Sequence, residues 1–218
     1  MKENLTIVID GPAGSGKSTI SRLLARQLGL SYVDTGAMYR AVALAAHERS
    51  VDPADDRGLA EICDAIKLRF KGERLFMDGR DVSEAIRTPL MDRLSSAVSA
   101  RPAVRKAMID LQRGAAKGGG VVMEGRDIGT VVLPNADVKF FLTADPKVRG
   151  ERRYRERVEK GESANLTAVV EEIEKRDKND SERELSPLKP AEDAVIIDTT
   201  HLSIPQVVEE IRKKIRNI

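Results

Sequence analysis

The chain has 218 residues, of which 37 are Lys or Arg and 35 are Asp or Glu, so its formal net charge is only +2. This balance argues against a broad basic surface for nucleic acid, and the 3% aromatic content argues against base stacking. The single cysteine, Cys63, excludes an internal disulfide and a cysteine-based metal cluster. A short polar start and the lack of a membrane-length apolar run predict a cytoplasmic protein. We expect it to be a monomer that binds neither nucleic acid nor membrane.

The first predicted element is an apolar strand at residues 5–10, and a glycine-rich loop follows it directly. The loop at residues 11–18 fills every fixed position of G-x-x-x-x-G-K-[ST], and apolar residues at helical spacing come after it. In this order of elements, backbone N–H groups and a helix N-terminus can hold nucleotide phosphates. Lys17 would reach the β- and γ-phosphates, and the Ser18 hydroxyl would bind Mg²⁺. We therefore predict an ATP site at Gly11, Pro12, Ala13, Gly14, Ser15, Gly16, Lys17, Ser18 and Thr19; the alternative is a chance glycine-rich turn.

A second short strand at residues 31–34 ends in Asp34, and Thr35 then opens a helix that carries Arg40. This arrangement could place a hydroxyl, a helix N-terminus and a guanidinium around a second phosphate. An N-capping Thr35 and a surface Arg40 explain the same residues without a ligand. The stretch by itself leaves both interpretations open.

Residues 51–66 are polar at first and then helical, and residues 68–79 read as short antiparallel strands joined by hairpin turns. A small hairpin that interrupts an alternating strand and helix pattern is better placed as a mobile cover than in a parallel sheet. We interpret Asp-Gly-Arg-Asp at residues 78–81 as turn chemistry. The similar Glu-Gly-Arg-Asp at residues 124–127 follows a buried strand at 121–123, where ligand-facing residues lie in open α/β sheets.

The last third of the chain contains a strand at residues 138–142, an arginine-rich helix and, after a break at 160–162, a second charged helix at about 166–178. Interleaved glutamates make a solvated, salt-bridged surface the default explanation of these arginines. A fifth strand at residues 194–198 and an amphipathic terminal helix complete the pattern. Five apolar strands alternating with helices predict a three-layer α/β sandwich with a mainly parallel sheet.

Six stretches together closely resemble the bacterial cytidylate kinases: residues 11–18, 34–40, 124–132, 176–177, 186–188 and 197–200. The resemblance covers nearly the whole chain. It implies the P-loop NTPase fold with a five-stranded parallel sheet, an inserted domain for the nucleoside monophosphate and a short helical lid. The implied boundaries are 1–40, 88–148 and 180–218 for the core, 41–87 for the insert and 149–179 for the lid.

The resemblance also implies the reaction, in which ATP and Mg²⁺ phosphorylate CMP or dCMP. Glu124 stands where some members of the family have Asp, and its role stays open between Mg²⁺-bound water and the phosphate ligands. Ser18 would bind the metal ion. The implied catalytic residues are Lys17, Arg126, Arg149, Arg153 and Arg183. Thr35, Arg40, Arg126 and Arg183 would contact the CMP phosphate, Arg176 and Asp180 the sugar, and Ser96, Arg105 and Asp127 the base.

Three other functions compete with this reading of the chain. A kinase for a different small acceptor, such as AMP, UMP or shikimate, would share the phosphate loop. A GTPase switch would need Asn-Lys-x-Asp, which the sequence lacks. A nucleic-acid-binding ATPase would use the arginines at residues 149–157, but the low net charge gives little support to it.

Overall fold

A computed structural model describes residues 4–216 of the chain. The chain divides into two compact units, the first made of the residues up to Leu30 together with those from Gly120 onward, and the second made of Ser31–Gly119. Within the described residues, no helix combines the length and the apolar character needed to cross a membrane. The predicted core, insert and lid boundaries stay a prediction.

The strands are β1 (Thr6–Asp10), β2 (Ser31–Asp34), β3 (Leu68–Lys71), β4 (Arg74–Met77), β5 (Arg80–Asp81), β6 (Val121–Gly125), β7 (Val138–Thr143) and β8 (Val195–Asp198). The α-helices are α1 (Lys17–Leu28), α2 (Thr35–Glu48), α3 (Asp56–Ala65), α4 (Pro89–Ser99), α5 (Pro102–Ala115), α6 (Pro146–Glu159), α7 (Leu166–Glu182) and α8 (Ile204–Ile215). A π-helix covers Ile128–Val132. Each of the five strands expected for the parallel sheet is present.

A five-stranded sheet has the strand order β2-β6-β1-β7-β8, which confirms the predicted α/β fold with flanking helices. Strand β1 pairs in parallel with β6 and β7, and β7 pairs in parallel with β8. The apolar runs form strands here because they are buried on both faces, and Ile7, Val8 and Ile9 are all fully inaccessible. Parallel pairing brings the carboxyl ends of β1, β6 and β7 to one edge, where Asp10 lies beside Gly125.

Helices α6 and α7 of the first unit pack closely at Gly150. A Cβ atom at this buried position would lie 2.3 Å from Cγ2 of Val170 and 3.2 Å from its Cα atom. The two helices can therefore approach only because residue 150 has no side chain. Helix α7 continues to Glu182, about one turn beyond its predicted end, and this last turn carries Asp180, which accepts a hydrogen bond from the distant Arg126 that periodicity does not reveal.

We expect Gly150→Ala to lower the free energy of unfolding by about 1–3 kcal/mol, since an added methyl group must push α6 and α7 apart. The matched control is Gly114→Ala in α5, where a Cβ atom would meet nothing within 4 Å. This second change should raise the free energy of unfolding by about 0.5–1 kcal/mol through helix propensity alone. Urea denaturation of both variants measures the difference. If both variants changed the free energy of unfolding equally and in the same direction, the contact between α6 and α7 would not restrict the size of the side chain at residue 150.

The second unit combines the sheet β3-β4-β5 with helices α2 to α5. The predicted hairpin is confirmed, with β3 and β4 antiparallel and Leu68 paired with Met77. Asp78 and Gly79 form a turn, and Arg80 and Asp81 add a short third strand, so the turn interpretation of residues 78–81 was right for the first two residues only. The unit has its own apolar core, built mainly on the buried face of α2 and on Leu59, Ile86 and Met108.

The π-helix at Ile128–Val132 was not predicted from the sequence. Its backbone makes hydrogen bonds five residues apart, with the amide of Val132 donating to the carbonyl of Asp127 at 3.3 Å and that of Leu133 donating to Ile128 at 2.7 Å. Such short π-helices occur often at functional sites. This one begins directly after Asp127.

Candidate active site

The glycine-rich loop connects β1 to α1 and lies tightly against the rest of the first unit. Gly11, Gly14 and Gly16 all have positive φ angles, which other residues adopt only with strain. A Cβ atom at Gly11 would lie 2.0 Å from the carbonyl oxygen of Leu142 in β7. Gly16 is the N-cap of α1 and provides no side-chain hydrogen bond. The first backbone N–H groups of α1 are thus available to an anion, as the sequence pattern predicts.

Lys17 is buried at the start of α1, with only 5% of the residue exposed. Its Nζ donates a hydrogen bond of 2.7 Å to the carbonyl of Pro12, and Ser15 donates to the same oxygen at 3.0 Å. Burial holds the pKa of Lys17 well below its usual range, and the charge of Arg126 adds to this effect. A bound phosphate would compensate both the burial and the repulsion. The loop therefore holds a cation that an anionic ligand would stabilise.

The Ser18 hydroxyl donates a hydrogen bond of 2.9 Å to Oε2 of Glu124 at the end of β6. A hydroxyl beside a carboxylate is a suitable partial ligand set for Mg²⁺, which commonly takes its remaining ligands from water and substrate phosphates. No group of three or more His, Cys, Asp or Glu side chains placed to bind a metal ion occurs among residues 4–216. The residues thus fit a magnesium ion that is carried in part by nucleotide phosphates.

Asp10, the last residue of β1, is one of the buried carboxylates of this site, with 4% of the residue exposed. It accepts hydrogen bonds from the backbone N–H of Ile128 at 3.0 Å and from that of Gly129 at 2.7 Å. Burial, with a smaller contribution from the Asp127 carboxylate, outweighs the two backbone N–H groups and Lys17 and raises the pKa of Asp10 to about 6. Asp10 thus takes up a proton near neutral pH rather than near pH 4.

The raised pKa predicts how Asp10 affects stability as pH changes. Because the folded state holds the proton more tightly than the unfolded chain, the contribution of Asp10 to the free energy of unfolding is greatest at low pH. It should fall by about 3 kcal/mol at most as pH rises from about 4 to about 7. Urea denaturation of the wild type and of Asp10→Asn across this range gives the difference. A difference that is constant with pH would contradict the raised pKa.

Three arginines surround the buried carboxylate of Asp180 near the end of α7. Arg126 donates a hydrogen bond of 3.1 Å to Oδ2 of Asp180, while Arg183 and Arg176 form longer ion pairs of 3.7 and 4.0 Å with it. Burial raises the pKa of Asp180, but the three guanidinium groups outweigh burial and hold the pKa below its usual range. A group of guanidinium side chains gathered in this way suits a phosphate group.

Arg183 also connects this cluster to Asp127, at 3.8 Å from its Oδ1 atom. The loop after α7 positions Arg183, because its Nε donates a hydrogen bond of 2.6 Å to the carbonyl of Ser186. The amide of Leu188 donates to the carbonyl of Asp180 at 2.7 Å and closes the same loop. The structure thus brings together five residues that the resemblance assigned to the acceptor, Arg126, Asp127, Arg176, Asp180 and Arg183.

The two arginines assigned to the lid lie in different surroundings. Arg149 is buried, donates to the carbonyls of Ala13 at 3.0 Å and Ala144 at 2.9 Å, and forms an ion pair with Asp177. It therefore supports the phosphate loop directly. Arg153 is partly exposed and pairs with Glu156 at 2.7 Å. A catalytic role for either residue stays a prediction.

The second unit holds the other predicted substrate residues. Asp34 is the N-cap of α2, where it accepts from the amide of Ala37 at 3.0 Å, so an N-capping Thr35 was the wrong alternative. Arg40 is mostly buried and pairs with Asp92 of α4 at 2.9 Å, which also rules out a freely solvated surface arginine.

Ser96 lies one helical turn after Asp92 in α4 and is partly buried. Arg105 of α5 is almost fully buried; it donates to the carbonyl of Ser99 at 3.1 Å, and its guanidinium lies 5.7 Å from the centre of the Tyr39 ring. The surroundings of Ser96 and Arg105 are thus known, while their role in base recognition stays a prediction.

Sequence reasoning missed three residues that shape the site. Asp10 is one, and the others are Arg152 and Thr199, which form two hydrogen bonds with each other at 2.9 and 2.6 Å. The Thr199 hydroxyl lies 3.2 Å from the carbonyl of Ser15 in the phosphate loop. Asp10 and Thr199 stand at or just after the carboxyl end of a strand, and that position could have identified both of them.

The chain is similar to known proteins along nearly its whole length. A sequence model of the family described as cytidylate kinase matches residues 7–217. The cytidylate kinase of Syntrophotalea carbinolica is 52% identical over 97% of this chain and 92% of its own. That of Pelotomaculum thermopropionicum is 50% identical over 94% and 93% of the two chains. A shikimate kinase structure from Bacteroides thetaiotaomicron covers 97% of this chain and 98% of its own, with a TM-score of 0.52 at 12% identity, and shares the fold.

Proposed function

The chain belongs to the cytidylate kinase family, and we propose that it transfers the γ-phosphoryl group of ATP to CMP or dCMP. The observation that supports this most directly is the position of Arg126. This residue donates to Asp180 within the arginine cluster, and its charge also lowers the pKa of Lys17 in the phosphate loop. Arg126 thus belongs to the arginine cluster around Asp180 and also acts electrostatically on Lys17 in the phosphate loop. Two polyanions brought end to end need such an arrangement.

Magnesium would be bound with Ser18, and with Glu124 hydrogen-bonded to that hydroxyl. When bound, the ion would neutralise charge on the phosphate oxygens. Lys17 and the backbone N–H groups at the start of α1 would hold the donor phosphates, and Arg126 and Arg183 would hold the acceptor phosphate. These residues orient the two substrates and stabilise the charge of the transferred group.

No general base is part of this proposal. The second pKa of a phosphate monoester lies near 6, so the acceptor is mostly a dianion at neutral pH and is already a nucleophile. The residues of the site then need only to position the acceptor oxygen in line and to compensate negative charge. The mechanism therefore predicts no catalytic histidine, and neither His47 nor His201 is assigned a role.

Cytosine would be distinguished from uracil by Asp127, together with Ser96 and Arg105 on the strength of the resemblance. A carboxylate can accept from the exocyclic amino group of cytosine, and a guanidinium can donate to its ring acceptors. Uracil presents a carbonyl oxygen where cytosine has its amino group. That oxygen would face the Asp127 carboxylate and leave buried polar groups mispaired.

We expect Asp127→Ala to reduce the preference for CMP over UMP in kcat/KM by about tenfold or more, since one mispaired buried group costs about 1–3 kcal/mol. The measurement is ADP release with each acceptor at saturating ATP. The control is Asp64→Ala, because Asp64 lies on an exposed part of α3 in the second unit. An unchanged preference in Asp127→Ala would remove Asp127 from base selection.

The proposal as a whole is tested by measuring ADP release with ATP and Mg²⁺ across AMP, GMP, UMP, CMP, dCMP and shikimate. We expect turnover with CMP and dCMP that clearly exceeds turnover with the other acceptors. ATP binding without turnover of either cytosine nucleotide would overturn the proposal. The proposal also includes a cytoplasmic monomer that uses only small nucleotides, and light scattering of the purified protein tests the monomer.

A further inference from the structure

The backbone immediately after Asp127 is held by a buried carboxylate from another strand. The two oxygens of Asp10 accept separately from the N–H groups of Ile128 and Gly129, at 3.0 and 2.7 Å. These residues are 118 and 119 positions away in the sequence, so the contact exists only in the folded chain. Asp10 thus ties the end of β1 to the first turn of the π-helix.

The same turn is also confined by Lys139 of β7. A Cβ atom at Gly129 would lie 3.1 Å from Cδ of Lys139 and 3.4 Å from Oδ2 of Asp10. Lys139 is almost fully buried, donates to the carbonyl of Pro134 just beyond the π-helix, and pairs with Asp193 at 2.8 Å. The start of the π-helix therefore has little freedom to shift.

The backbone of Asp127 is restricted as well, because it is bonded directly to this turn. Its carbonyl accepts hydrogen bonds from the amides of Val131 at 2.9 Å and Val132 at 3.3 Å. The next two backbone N–H groups along the chain, those of Ile128 and Gly129, donate to the Asp10 carboxylate. The Asp127 carboxylate is also near enough to raise the pKa of Asp10. The position of the Asp127 side chain thus depends on groups that Asp10 holds.

We propose that Asp10 is a positioning residue for base selection, which fixes the backbone of Ile128 and Gly129 so that the Asp127 carboxylate meets the cytosine amino group. This inference rests on the proposed function, in which Asp127 reads the base. Asp10 itself is not assigned any contact with a substrate. Its effect should therefore appear in the choice between acceptors rather than in the use of ATP.

A purely structural role of Asp10 predicts something different. Asp10 directly precedes Gly11 of the phosphate loop, so general damage from its loss would weaken ATP use and slow CMP and UMP turnover by equal factors. A positioning role predicts unequal factors for the two acceptors. The ratio of the kcat/KM values for CMP and UMP distinguishes the two roles, because uniform damage cancels in it.

The experiment compares the wild type with Asp10→Ala, Asp127→Ala and the double variant. We expect Asp10→Ala to reduce the CMP to UMP ratio by about tenfold and to change the KM for ATP by less than about threefold. The double variant should have the same ratio as Asp127→Ala alone, because Asp10 acts only through Asp127. Ile9→Val, a cavity-forming change in the same strand, is the matched control and should keep the wild-type ratio.

A second readout follows the backbone directly. Amide hydrogen exchange at Ile128 and Gly129 should be about tenfold faster in Asp10→Ala than in the wild type and unchanged in Ile9→Val. If Asp10→Ala does not fold, Asp10→Asn replaces it; the amide keeps one acceptor oxygen, and an intermediate ratio is expected.

A wild-type ratio in folded Asp10→Ala or Asp10→Asn, while Asp127→Ala reduces the ratio, would overturn this inference and leave the proposed function intact. Unchanged exchange at both amides would also overturn it. A wild type that does not prefer CMP to UMP would overturn the proposed function, and this inference with it.

Discussion

Replacing Lys17 by methionine is expected to lower kcat by about 10³-fold, since the buried ammonium is the cation closest in sequence to the phosphate-binding glycines and its charge stabilises the transferred group. The change keeps most of the length of the side chain and removes only the charge and its hydrogen bonds. In the structure that charge is buried with the Pro12 carbonyl, and burial holds the pKa of Lys17 well below its usual range.

Stability should respond far less than activity in Lys17→Met. Removing the charge relieves its burial cost and its repulsion from Arg126, while the loss of the hydrogen bond to Pro12 acts in the opposite direction. We expect the Tm to shift by less than about 5 °C. The control, Lys175→Met on the exposed side of α7, should retain wild-type kcat. Wild-type kcat in Lys17→Met would show that the loop is not a phosphoryl-transfer site.

The second large effect is expected for Arg183→Ala, which should lower kcat/KM for CMP by about 10²- to 10³-fold and change the KM for ATP by less than about threefold. Arg183 stands between Asp127 and Asp180, at 3.8 and 3.7 Å from their carboxylates, and the Ser186 carbonyl orients it. Its removal would take away a cation for the acceptor phosphate and would leave two buried carboxylates less compensated. The measurement is steady-state kinetics with each substrate varied in turn.

Arg155→Ala is the matched control for Arg183. Arg155 lies on α6 with 69% of its side chain exposed and a distance of 3.5 Å to Glu151, so its loss should leave both KM values and kcat unchanged. An equal loss of ATP and CMP use in Arg183→Ala would indicate general damage to the arginine cluster rather than a role in acceptor binding. Arg183→Lys adds a further distinction, because it keeps the charge but lacks the two-pronged geometry of the guanidinium.

Several parts of the molecule follow from local patterns of residues. The phosphate loop was predictable because its glycines are needed for backbone angles that other residues avoid, and Gly11, Gly14 and Gly16 all have positive φ angles. The five strands of the parallel sheet were predictable because a strand covered on both faces must be a continuous apolar run. The break between α4 and α5 has a local cause as well, because Pro102 lacks a backbone N–H and therefore begins a new helix instead of continuing the preceding one.

Other features depended on contacts between distant parts of the chain. The N-cap of α2 is Asp34 and not Thr35, and the Arg87 guanidinium, 53 positions away, pairs with the same carboxylate at 2.6 Å. The default explanation of Arg149 as a solvated arginine was wrong, because it is buried against the phosphate loop, while its predicted catalytic role stays a prediction. Helical spacing could not separate the buried arginine of α6 from the exposed ones, because all of them lie on one highly charged helix.

What the sequence by itself determined is the phosphate loop and the alternation of strands and helices, because each of these depends on neighbours within a few positions. Only the tertiary structure decided that three arginines converge on Asp180 and that Asp10 holds the backbone beside Asp127. The physical reason is that a buried charge needs partners, and the partners of Asp10 and Arg126 lie 118 and 54 positions away along the chain. Folding brings the carboxyl ends of β1 and β6 to one edge, which places Asp10 near the backbone after Asp127, and brings the end of α7 to Arg126.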